Sequence, residues 1–73
     1  MKYEYRLVIP DMYSPGTLFQ EMQGYYIVAE NHIQATACKA HDLAVYYRVP
    51  TREMTARLYV DHTWTRPIRT EIN

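Results

Sequence analysis

Seventy-three residues leave room for one domain and none for a second. Eight basic and eight acidic side chains cancel to a formal charge of zero, which excludes the charge excess of a typical nucleic-acid module. Cys38 is the single cysteine, so no disulfide framework can support so small a core.

The charge is mildly polarised. Residues 1–36 carry two cations against four anions, and residues 37–73 carry six against four. Eight tyrosines stand against one Phe and one Trp. A tyrosine has an apolar ring and a polar tip, so such a set either finishes a small core or forms a contact surface.

Lys2 to Ile9 alternates as a strand, with Tyr3, Tyr5, Leu7 and Ile9 on one face and Lys2, Glu4, Arg6 and Val8 on the other. One apolar and one mostly charged face predict a sheet covered on one side only. The same opening stretch has no apolar core of signal-peptide length. No stretch approaches a bilayer span, and a lone cysteine suits a reducing cytoplasm.

Pro10 ends the strand. Asp11 to Gly16 reads as a loop with a turn at Pro15-Gly16. Thr17 to Gln23 fits a strand turning back near Gly24, or a short helix capped by Ser14 with Pro15 at its first position. Gly16 in that first turn tips the reading to the strand.

Tyr25 to Glu30 is β-branched and aromatic, apolar on both faces until Glu30, which predicts a central strand. It feeds the one long helical segment. Asn31 is an N-cap with Gln34 three residues on. Ile33, Thr36, Ala37, Ala40, Leu43, Ala44 and Tyr47 then recur at three- and four-residue steps. The small side chains Ala37, Ala40 and Ala44 predict close approach to a sheet, with Ile33, Leu43 and Tyr47 filling the ends.

Pro50 closes this helix, Thr51 to Thr55 reads as a loop, and Ala56 to Val60 as a further strand. If that strand ran parallel to the one before the helix, the connection would be a right-handed crossover. In the tail, Trp64 is an anchor, Pro67 denies a central place in a sheet, and Thr65 to Ile72 could form an extended edge. The expected fold is an α/β (α+β) two-layer sandwich of three or four strands, with one helix, about 32–48, on one face.

No catalytic constellation is recognisable, and no catalytic residue, cofactor or metal ligand is assigned. His41 and His62 could in principle meet, but zinc asks for three or four ligands, and no metal-ligand spacing occurs. Cys38, with His41 and Asp42 following at three and four residues, lies mid-helix, away from the helix end that activates a thiol. Ser14 has no histidine near it. The acidic residues are scattered, and Gly16 and Gly24 cannot make a phosphate loop.

The composition therefore points to action by binding another protein, as an inhibitor, adaptor or assembly subunit, with a homodimer as one form. Tyr13, Tyr26, Tyr46, Tyr59 and Trp64 are the candidate contact residues. The alternative is single-stranded nucleic acid or RNA, held by Arg48, Arg52, Arg57, Arg66 and Arg69 around rings such as Tyr26 or Tyr59. Arg57 opposite Glu4 or Glu30 would equally make a cross-strand pair. A metal- or thiol-dependent enzyme ranks last, and no membrane association or small-molecule substrate is expected.

Overall fold

The computed structural model describes residues 1–68. It is a compact α+β fold. Strand β1 (Lys2–Val8) leads through two short 3-10 turns, Pro10–Met12 and Phe19–Glu21, into β2 (Tyr25–Ala29). Helices α1 (His32–Tyr47) and α2 (Thr51–Arg57) follow, then the short strands β3 (Tyr59–Val60) and β4 (Arg66–Ile68).

The antiparallel sheet is built on β1. On one side β1 pairs with β2, Tyr5 opposite Ile27. On the other it pairs with β3 through Leu7 and Val8, and with β4 through Lys2, Tyr3 and Glu4. β3 and β4 thus line one side of β1 as an interrupted strand, and residues 62–65 between them turn away from the sheet. β2 and β3 run in the same direction, but β1 lies between them.

This order corrects the expectation for β2, which is an edge strand. The central place belongs to β1, because the chain carries over it through both helices before returning on the far side. β3 is also shorter than expected. Thr51 to Arg57 is helical, where a loop and the start of a strand were expected. Pro50 both stops α1 and sets the entry to α2, Glu53 and Arg57 suit the two ends of the helix dipole, and Met54 is fully buried beneath it.

α1 begins as the capping pattern predicts. The Asn31 side chain accepts from the Gln34 N–H at 2.8 Å, and Gln34 Oε1 accepts from the Glu30 N–H at 2.7 Å. The helix ends one residue before the expected boundary, where Arg48 turns left-handed with φ of 59°. Its covered side shifts along its length, from Ala35 to Ala40, Leu43 and Ala44, as it does when a helix crosses its support obliquely. Ile33 and Ala37, expected in the contact, face solvent, Ile33 with 71% of its surface exposed.

The core between sheet and helices gathers Tyr5, Leu7, Ile9, Ala29, Ala40, Leu43, Ala44, Met54 and Leu58. The turn at Pro15-Gly16 forms as expected: Thr17 N–H donates to Ser14 C=O at 3.2 Å, and Gly16 takes the positive φ (93°) of a type II turn. Residues 17–23 form neither the preferred strand nor an α-helix. They make a single 3-10 turn, and the carbonyls of Phe19 and Met22 accept from Arg6.

A further correction concerns the face on which those two bonds lie. The charged face of β1, expected to be open, is partly closed, and Val8 and Arg6 are both buried. No helix among the described residues is long and apolar enough to cross a membrane.

Candidate protein-interaction surface

Residues that face one another across an antiparallel pair share a face. Glu4, Arg6 and Val8 of β1 therefore lie with Tyr26 and Val28 of β2, Tyr59 of β3 and Arg66 of β4, on the side away from the main core. Arg6 organises the middle of this face, with 5% of its surface exposed. Its Nη1 donates to Asp61 Oδ2 at 2.9 Å, and its Nη2 donates to the Met22 carbonyl and, at 3.5 Å, to that of Phe19.

Asp61 in turn shapes the interruption between β3 and β4. Its N–H donates to the Arg6 carbonyl at 2.8 Å, keeping it in the sheet. Its Oδ1 accepts from Thr63 Oγ1 at 2.6 Å and Thr63 N–H at 3.1 Å, and its carbonyl accepts from Trp64 N–H at 3.1 Å. Hydrogen bonds from Thr63 and the Arg6 guanidinium hold the Asp61 carboxyl below the usual carboxylate range, against the opposing effect of burial.

The resulting turn lays Trp64 against Tyr26, ring centroids 4.8 Å apart, and Arg66 stacks on Trp64 at 4.6 Å. Trp64 is half-buried, partly covered by the fold itself. Tyr59 stays exposed on the same face, beside an open pocket of about 460 Å³ that Phe19, Pro10 and Arg57 help to line.

Two other expected contact residues meet elsewhere. Tyr46, largely exposed, borders a groove of about 390 Å³ with Met12, Gln23, Tyr25, Leu43 and Tyr47. Tyr13 sits beside it, its hydroxyl accepting from the Gln23 N–H. Tyr25 and Tyr47 share a hydrogen bond of 3.3 Å between hydroxyls. Burial first, and then that bond, push the Tyr25 phenol up to about 12. The five candidate residues therefore divide between two regions, Tyr13 with Tyr46 and Tyr26 with Trp64 and Tyr59.

The candidate arginines do not converge. Arg57 pairs with Asp11 at 3.0 Å, and not with Glu4 or Glu30, because it ends a helix instead of lying on a strand. Arg66 is engaged with Trp64, Arg48 and Arg52 are exposed near the α1–α2 corner, and Arg69 lies outside the described residues. His62 meets His32 edge-on at 5.7 Å, in place of the expected His41. Among the described residues no three His, Cys, Asp or Glu side chains form a group able to hold a metal. Cys38 is exposed on α1.

A feature that residue types alone did not expose is the edge of β2. β2 pairs with β1 on one side, and among the described residues no strand pairs with the other. Alternate residues of such an edge direct their N–H and C=O groups outward. Tyr25-Tyr26-Ile27-Val28-Ala29 carries no charge, no proline and no bulge to guard that edge. Tyr26 and Val28 are 47% and 48% exposed, and Ile27, on the core side, is only half-buried. The signal was present in the sequence as a strand apolar on both faces, which reads as central until the strand order is known.

No protein family, no curated protein and no solved structure matches this chain.

Proposed function

We propose that this chain acts by binding protein, and that it does so by adding a partner's strand to the open edge of β2. One observation carries this reading: an edge strand that no other strand pairs among the described residues, apolar on both faces and without a charge, proline or bulge. Main-chain hydrogen bonds along such an edge supply affinity, and pockets for alternate side chains supply specificity. Tyr26 and Val28 face outward beside Trp64, so an added strand would meet an aromatic wall on one face. A module of this kind suits an adaptor, inhibitor or assembly subunit working without catalysis, and its lone exposed thiol suits a reducing compartment such as the cytoplasm.

A photo-crosslinking side chain at position 28, compared in cells with one at exposed position 52 on α2, tests the reading. Protein adducts at 28 and none at 52 are expected. Equal labelling at both positions, or none at 28, would overturn it.

A second reading has its own observation. Arg66 stacked over Trp64 beside Tyr26 resembles the cation-flanked aromatic platforms that hold single-stranded nucleic acid. It draws less support, because Trp64 is already packed on Tyr26 and Arg57 is held by Asp11. Salt-sensitive binding of a short single strand that is lost in Arg66→Ala would favour it.

A further inference from the structure

We infer that the strand added at the β2 edge is β2 of a second copy of this chain, antiparallel to the first about a twofold axis through Ile27. This inference rests on the strand-addition reading and names its partner. An axis perpendicular to the sheet keeps the core side of one copy level with the core side of the other, so odd residues must face odd and even face even. Among those registers, only the one centred on Ile27 pairs all five residues of Tyr25–Ala29.

In that register Tyr26 faces Val28 of the second copy, twice over, and Ile27 faces itself. Aromatic–β-branched pairs are among the favourable cross-strand combinations. Both members are half-exposed in the single chain, so the pairing covers apolar surface on that face. On the core side it brings the half-buried Tyr25 opposite Ala29 and shelters Ile27. Glu30 faces Gly24, beyond the strand, and no like charges oppose one another. Moving the axis to Val28 would instead bring each Glu30 opposite Tyr26 and leave Tyr25 unpaired. A chain this small also gains from turning its exposed edge into the interior of a continuous sheet.

The experiment is sedimentation of the full chain from low micromolar to submillimolar concentration, alongside Val28→Lys. That variant leaves a half-exposed position solvated, and its fold is checked by circular dichroism. A dimer is expected, weakened about tenfold or more by the two lysines brought to one face of the joint. For the register, Tyr26→Cys and Val28→Cys, each with Cys38→Ser, are mixed and oxidised. Facing Cα atoms, about 4.5–5.5 Å apart, lie within the span a disulfide bridges, so the mixture should cross-link well above either variant alone. A dimer indifferent to Val28→Lys, or one cross-linking best between two copies of the Tyr26→Cys variant, overturns the inference. A monomer at every concentration overturns it too. In that case adducts to another protein at position 28 would leave strand addition standing, and their absence would remove both.

Discussion

Arg6 and Asp61, fifty-five residues apart in the chain, close a buried ion pair of 2.9 Å that ties the central strand to the turn between β3 and β4. Both Asp61 carboxylate oxygens are hydrogen-bonded, and no buried side-chain nitrogen or oxygen among the described residues lacks a partner. Removing one member of such a pair leaves the other charged and desolvated, so Arg6→Met should lower stability by about 3 kcal/mol or more, read from urea unfolding. The acid limb follows from the same contacts. The Asp61 pKa is lower folded than unfolded, so its contribution is complete above the unfolded value of about 4 and is lost as pH falls through the lower folded value. Thermal midpoints should drop across that acid window, and Asp61→Asn should flatten the drop.

Gly24 is needed by Arg6. A Cβ at position 24 would stand 2.6 Å from Arg6 Nε and 2.9 Å from its Cγ. A free arginine would swing aside, but this one is pinned at Asp61 and Met22. Gly24→Ala should therefore cost about 1–3 kcal/mol as an overpacked site. The same substitution with Arg6→Ala should cost much less than the two single effects added together. A simple sum would show that Arg6 is not the obstruction.

Local signals in the sequence are reliable where a short-range mechanism produces them. The Asn31 cap, the Pro15-Gly16 turn, the β1 alternation and the two-layer architecture are all present in the fold. What fails depends on long-range pairing. Tyr25 to Ala29 reads as central because both faces are apolar, yet strand order places it at the edge. Arg6 reads as solvent-facing, and only Asp61, Phe19 and Met22, all distant in sequence, show why it is buried. Pro50 reads as a stop for α1, but it also sets the entry to α2, and that second role hides the shorter helix. Residue type marks the contact candidates, and type cannot say that Tyr13 and Tyr46 lie apart from Tyr26 and Trp64.

The register of α1 distinguishes two alanines three residues apart. Ala40 has no exposed surface, while Ala37 is exposed. Ala40→Glu buries an unpaired charge and should lower stability by about 3 kcal/mol or beyond. Ala37→Glu should stay within about 0.5 kcal/mol, as a surface substitution. Equal thermal midpoints for the two variants would refute this placement of the helix.

Tyr25 should release its proton late. With its pKa pushed up to about 12, an ultraviolet titration of the folded protein should show a late step that Tyr25→Phe removes and Tyr47→Phe shifts downward. The phenol holds its proton more tightly folded than unfolded, where its value is about 10. Its contribution is therefore full below about pH 10, and is lost as pH rises through the folded value.

Arg48 is the one non-glycine residue with positive φ among those described. It ends α1 in the left-handed region, its N–H donating to the Ala44 carbonyl. A side chain there crowds the following carbonyl at a cost of about 1–2 kcal/mol, which glycine avoids. Its exposed side chain makes no hydrogen bond or ion pair among the described residues, so Arg48→Gly removes that strain without breaking a polar contact. Stability should rise by about 1 kcal/mol, seen as a higher denaturant midpoint at unchanged slope. A fall in the midpoint would mean that the arginine holds this corner through contacts worth more than the strain. The same variant bears on the nucleic-acid reading: a stabilised protein that has lost affinity for single strands would place Arg48 in the binding surface.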